Sequence, residues 1–433
     1  FRNLRIKQMK IVFNLIFVTT IFCTELGNES YLWPTDASKT LTTVFGDVRP
    51  RRYHAGLDVR TYGLSGHDLY AIEDGYIERI RVSSSGYGKA IYIRLIDDRI
   101  AVYAHMSEFT EELNKLVKEF QLKENSYSIN QILEPNKYRV KKGDVIGFTG
   151  DTGSISGPHL HFEIRDKNNK PLNPLLTNYS ITDTQFPVAK SISVIPLEEI
   201  SRVNGEIKPI IIPIKKIDDS NYKIENEIKV SGPFGLAVKI IDRINQQPFK
   251  FGLFGLKMYI DEELHYSIQY DHFDFDEGEL VYTERDYALI RSGEGKYYRL
   301  FKDDSRKKLS FHDDGFGGIN LLEFGNYKLK IIAYDYNQNE ISISGNLIIE
   351  ENKINSKTAK IGSEIQLFKN NCENCEIHQF EHGIYFSIPQ SSIKGTPEVF
   401  INSNIIQNKE VEFHHFKNDN NHEFVFNPTD LES

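Results

Sequence analysis

Gly157-Pro158-His159-Leu160-His161-Phe162-Glu163-Ile164 is the stretch whose reading decides the fold. Leu160, Phe162 and Ile164 alternate with His159, His161 and Glu163. A repeat of two belongs to a β-strand with one apolar and one polar face. At ~3.4 Å per residue the two imidazoles lie on one side, roughly 7 Å apart. Glu163 shares that face, either orienting a histidine or standing as a solvated or salt-bridged carboxylate.

Two distant segments carry the same types of side chain. His54-Ala55-Gly56-Leu57-Asp58 reads as a loop entering a strand, because Leu57 alternates with Val59 after Gly56. Tyr103-Ala104-His105 ends a second strand. Ile91 to Ile96 and Arg99 to Tyr103 flank Asp97-Asp98, which predicts a hairpin with a two-residue turn delivering His105. Together the three segments offer histidines and an aspartate for a metal, with histidines to spare for proton work. Neutral imidazole and carboxylate suit zinc, whose catalytic sites use three protein ligands.

In this order the segments resemble the lysostaphin/LytM-type zinc metallopeptidases, which cut peptide bonds in cell-wall peptidoglycan. The resemblance includes Val44-Phe45-Gly46-Asp47-Val48-Arg49, Ala71-Ile72-Glu73-Asp74-Gly75, Gly86-Tyr87-Gly88, Val140 to Gly147, Gly150-Asp151-Thr152-Gly153 and Leu172-Asn173-Pro174. It covers roughly residues 30–178. It implies His54, Asp58 and His161 as ligands of Zn2+, and His105 and His159 as the catalytic pair. It also implies metal-assisted hydrolysis in which one of that pair moves the proton and the other bonds the oxyanion. The expected substrate is a peptidoglycan stem-peptide cross-link. The alternative is a non-catalytic wall-binding or amidase-activating protein with an occluded site.

The rest of the chain sets the frame. Its 433 residues are 39% hydrophobic and 12% aromatic, enough for two to four cores. Tyr and Phe are abundant and long Ala/Leu-rich helical runs are scarce, so the chain reads as mainly β. A net charge of -9 argues against a nucleic-acid partner. Arg2, Arg5, Lys7 and Lys10 precede the apolar run Ile11 to Phe22, predicting a signal peptide over 1–23 and an exported, envelope-associated protein. Bulky Phe22 argues against a lipid-anchored Cys23. Cys372 and Cys375, with His378 and His382 nearby, read as a local disulfide in an exported protein, with free thiols or a zinc site as the alternatives.

Leu113, Leu116, Val117 and Phe120 share a helical face with Phe109, after Ser107 as N-cap. The 110–139 insertion is either a wall of the substrate groove or a packing element outside it. Glycines at 147, 150, 153 and 157 fit close approach of a peptide better than phosphate binding, because no Gly-Lys-Ser/Thr ending follows. Alternating runs over 190–350 predict an antiparallel, immunoglobulin-like β-sandwich domain, and 361–433 a small C-terminal β domain. Such β domains offer a surface for a protein partner. The acidic patch Asp271 to Glu284 lacks EF-hand spacing and reads as a solvated loop rather than a calcium site.

Overall fold

A computed structural model describes residues 31–177, 179, 181–301, 309, 323–351, 355–360, 376–380, 383–389, 410–417 and 421–426. The expected signal peptide, Cys23, the Cys372/Cys375 pair and His382 lie outside the described residues, as does the side chain of His378. The fold is mainly β. Among the described residues no helix is long and apolar enough to cross a membrane.

The first sheet has nine strands. Its main path runs Leu41–Thr43, Leu57–Arg60, His159–Arg165, Ile100–Ala104, Ala90–Leu95, Gly75–Val82 and Ile129–Ile132. The His-bearing strand is therefore central, with antiparallel partners on both sides. Leu160, Phe162 and Ile164 are fully buried in the apolar layer, as the alternation requires. Gly56 has a steric reason: a Cβ there would stand 2.1 Å from the Phe162 carbonyl oxygen. Any larger residue would push the Asp58 strand away from the His161 strand.

The hairpin before His105 differs from expectation. Leu95 and Arg99 bracket three residues, with the Asp98 amide on the Leu95 carbonyl at 3.1 Å and Asp98 at φ 67°. A third residue in the left-handed region closes this longer turn, a position that Asp tolerates. The helix also starts later than expected, after Thr110, and spans Glu111–Glu124. Glu108–Phe109 pairs instead with Gly147 and Phe148, so the chain is still extended where Ser107 would have capped it. The helix packs through Leu113 and Val117, and the insertion continues into the edge strand Ile129–Ile132.

The second sheet has eleven strands, and Glu263–Gln269, Gly255–Ile260, Gly325–Tyr334 and Glu340–Ile349 are adjacent in it. Leu256, Met258 and Ile260 meet Leu329, Ile331 and Ala333 in its core, as their alternation predicts. Two pairings are parallel: Asn221–Ile224 and Ile228–Ser231 both run alongside Glu340–Ile349. A further five-stranded antiparallel sheet holds 355–360, 410–417, 421–426, 383–389 and 376–380.

The first two units are interwoven. Phe45, Tyr53 and Ala55 sit in the core of the second sheet, while Ile244 and Phe251 sit in the core of the first. Phe273 lies 5.1 Å from the Phe45 ring and 5.7 Å from the Tyr53 ring. Gly46, at φ 79°, faces the Tyr270 ring at a distance where a Cβ would clash at 2.9 Å. Asp47 accepts from the Gly252 amide at 2.7 Å.

Asn173 makes the polar part of this junction. Its side-chain amide donates to the Tyr270 carbonyl at 3.0 Å, its backbone amide to the Asp271 carbonyl at 2.7 Å, and its Oδ1 accepts from Leu175. Asn173→Ala leaves the buried Tyr270 carbonyl and Leu175 amide without these partners. Urea denaturation is expected to show a loss of about 1–3 kcal/mol, and an unchanged midpoint would refute the clamp.

Candidate functional site

Register brings the site together. On the central strand His161 lies opposite Asp58 on one side and Ala104 on the other. Directly opposed residues have Cβ atoms about 5 Å apart, so Asp58 and His161 meet without any turn between them. His105 follows Ala104, and its backbone enters the left-handed region at φ 61°. His54 reaches the same point from the loop before Asp58.

Three donor atoms converge. His54 Nε2 is 3.0 Å from Asp58 Oδ1 and 3.0 Å from His161 Nδ1, and His161 Nδ1 is 2.9 Å from Asp58 Oδ1. Metal bonds of about 2.0–2.1 Å at near-tetrahedral angles put ligand atoms about 3.3 Å apart, close to this triangle. All three residues are buried.

Each donor is held from behind. His54 Nδ1 donates to the Val44 carbonyl at 2.8 Å, leaving the Nε2 lone pair for a metal. His161 Nε2 donates to Glu163 Oε1 at 2.8 Å, leaving Nδ1. Asp58 Oδ2 accepts from Thr43 Oγ1 at 2.6 Å and from Arg49, so Oδ1 remains. Such supports fix tautomer and orientation. Glu163 in turn accepts from Arg165 Nε at 2.6 Å and from the Tyr87 hydroxyl. Glu163 therefore both orients His161 and is salt-bridged, and it is fully buried rather than solvated.

Charges follow from these contacts. Burial alone would raise the Asp58 carboxyl, but His54 and His161 outweigh it and hold it well below the usual range. Burial would likewise raise Glu163, yet Arg165 and His161 bring it down to about 2. Burial would lower His161, and its bonds to Asp58 and Glu163 instead raise it to about 9, so a metal at Nδ1 would displace a proton.

His105 and His159 stand beside this triangle. Their rings are 4.9 Å apart, and His159 Nε2 is 3.6 Å from Asp58 Oδ1. His105 Nδ1 donates to the Thr152 carbonyl and His159 Nδ1 to the Gly157 carbonyl, each at 2.9 Å. The glycine-rich loop thus supplies carbonyls that set both rings, a role its composition did not reveal. Burial lowers both imidazoles, His105 to about 3. At neutral pH each is uncharged, with Nε2 as a proton acceptor.

The five residues border a cleft of about 910 Å³. Arg49, Arg52, Arg79, Arg81 and Arg165 also line it; Arg49 and Arg165 are paired with Asp58 and Glu163, so the basic surface comes from Arg52, Arg79 and Arg81. No residue of 110–139 lines it, so of the two readings of that insertion the structure has the packing element. The opposite wall comes from the second unit, through Phe273, Phe275 and Gly278. The acidic patch around them is engaged: Asp274 and Glu277 form a reciprocal helix cap, Asp271 pairs with His272, and Glu284 with Arg285. Sequence reasoning passed over this wall because no local pattern links Phe275 to a site more than a hundred residues earlier.

Residues 126–174, which carry His159 and His161, match the model of Peptidase family M23. This stretch is M23-like. The M23 match agrees with the lysostaphin/LytM-type resemblance read from the motifs. DD-carboxypeptidase/endopeptidase Mpg of Neisseria meningitidis serogroup B (strain ATCC 13091 / M2091) is 32% identical over 124 residues, which are 29% of this chain and 22% of that protein. The murein hydrolase activator NlpD of Escherichia coli (strain K12) is 32% identical over 147 residues, 34% of this chain and 31% of that one. The match therefore spans only about a fifth of the first relatives' length. A zinc-containing peptidase from Vibrio cholerae overlays 36% of this chain and 41% of its own, at 22% identity and a TM-score of 0.26.

Proposed function

We propose that the protein is an exported zinc endopeptidase acting on peptide cross-links of peptidoglycan in the cell envelope. The observation that carries this reading is the triangle of His54 Nε2, Asp58 Oδ1 and His161 Nδ1, each backed by its own hydrogen-bond partner. These three residues would hold the ion. When bound, zinc supplies Lewis acidity, polarising a carbonyl and making water nucleophilic near neutral pH.

The chain's own groups do the remainder. His105 and His159, uncharged and with Nε2 open, are the bases. One of them takes the proton of the attacking water on Nε2 and passes it to the leaving amine. The other, with Nδ1–H already on a backbone carbonyl, would bond the oxygen that gains charge only after taking a proton on its own Nε2. The arginines on the cleft attract the carboxylates of wall stem peptides. Digestion of purified sacculi with and without a zinc chelator, read by mass spectrometry, tests the reading. Chelator-sensitive loss of cross-linked dimers supports it.

A second reading, a wall-binding or amidase-activating protein, has the NlpD relative behind it. Bound zinc without peptide release from sacculi would favour that reading, with the β domains as the partner surface.

The Phe275 ring, stacked 4.5 Å from the Arg165 guanidinium, is a substrate wall in the endopeptidase reading. Phe275→Ala removes about 1–1.5 kcal/mol of contact. KM for a cross-linked muropeptide is expected to rise about five- to tenfold, with kcat nearly unchanged. An unaltered KM would take the second unit out of substrate binding.

A further inference from the structure

A second cluster of metal-ligating side chains lies at the junction of the two units, away from the histidines. Asp183, Asp242 and Asp335 are all buried, and one carboxylate oxygen from each lies within 4.8 Å of the others. They line a small cavity of about 30 Å³ together with Asn173, Asn337 and the apolar Val44, Phe45 and Phe251. A volume of that size holds one water or one ion.

The three carboxylates are not equally satisfied. Asp335 accepts from the backbone and side-chain amides of Asn339 at 2.8 and 2.7 Å. Asp183 Oδ1 accepts from the amides of Gln185 and Asn245 at 3.0 and 3.3 Å. Asp242 is 4% exposed, and its Oδ1 has no hydrogen-bond partner. A buried carboxylate oxygen left bare is costly unless a cation or proton meets it. The strongest charges acting on Asp242 are other carboxylates, those of Asp335, Asp183 and Asp47.

We propose that Asp183, Asp242 and Asp335 bind one hard divalent cation of the calcium class. All-oxygen donors with two or more carboxylates suit such an ion and not a soft one. The ion meets the bare Oδ1 and neutralises the mutual repulsion of the three groups. It also ties three chain segments together: the one leaving the first unit at Asp183, the strand end at Asp242, and the turn at Asp335. Burial and then Asp335 push the Asp242 carboxyl up to about 9, and burial chiefly pushes Asp335 to about 6. Both directions mean that the buried charged forms are disfavoured until a cation or a proton meets them. The inference is independent of the peptidase reading.

The test uses full-length protein stripped of metals, then titrated with CaCl2 alone by calorimetry and by thermal melting. Wild type and His161→Ala are both expected to bind one equivalent, with Tm raised by about 3 °C at saturation. Asp242→Asn is expected to lose both the heat and the shift. It should still fold, because an amide there can donate to Asp335 or Asp183. Asp335→Asn is the second variant, and the wild-type titration decides alone should both variants misfold. No heat and no shift in wild type with Ca2+, Mg2+ or Mn2+ would overturn the proposal, leaving protons as the neutralising charge. An Asp242→Asn variant that responds like wild type would overturn it equally.

Discussion

His161→Ala is expected to abolish zinc retention and the chelator-sensitive release of peptides from sacculi. The substitution removes one of three convergent donors and leaves only His54 and Asp58, too few to hold the ion against water. Loss of a supporting residue alone typically costs 10–100-fold in metal affinity or activity. Loss of the ligand itself should exceed that, to about 10³-fold or more in kcat/KM, equivalent to about 4 kcal/mol. Metal content by mass spectrometry and turnover on a defined muropeptide would be read on the same preparation. Retained zinc with intact cleavage would show that the donors lie elsewhere. Zinc lost while the wild-type protein also fails to cleave would point to the activator reading instead.

Glu163→Ala should give a large loss of stability. Glu163 is fully buried, and so is Arg165, at 3% exposure, whose guanidinium it holds. Removing one member of a buried ion pair leaves the other charge uncompensated and costs about 3–5 kcal/mol. It also frees His161 Nε2–H and the Tyr87 hydroxyl, so the imidazole loses its fixed tautomer. Glu163→Gln keeps an acceptor for His161 and should cost less. The pH dependence has a definite sign. The folded-state value of Glu163, about 2, lies below the ordinary 4.5. Its stabilisation is therefore full above about pH 4.5 and is lost as pH falls through about 2. In Glu163→Gln that acid-sensitive part should be missing from urea midpoints measured across this range. Equal acid sensitivity in the variant and the wild type would exclude Glu163 as its source.

Much of this could be read from the chain because it depends on local periodicity. The alternation over 159–164 fixes which side chains of one strand share a face, and the structure keeps it. The alternations at 256–260 and 327–331 behave likewise. What escaped depends on contacts between distant segments. Arg49 behind Asp58 and Tyr87 behind Glu163 sit in motifs that were legible as motifs, and Thr43 just precedes one, yet their partners are set by strand order and register. The carbonyls of Val44, Thr152 and Gly157 have no side-chain signature at all. The turn at Asp98 needed one more residue than the pattern suggested, because a left-handed position can be filled by Asp as well as by Gly. The wall at Phe273 and Phe275 was hidden by the same distance, and its acidic neighbours also gave its segment the composition of a loop.

The exchange of Phe45, Tyr53 and Ala55 for Ile244 and Phe251 between the two cores bears on how such a protein can be inherited. A modular cassette moves between genes because its surface is complete when it arrives. Here the stretch that carries His54 would arrive with three apolar side chains stripped of their neighbours. The donor gene would be left with a matching hole. Recombination that separates the two units is therefore penalised on both sides.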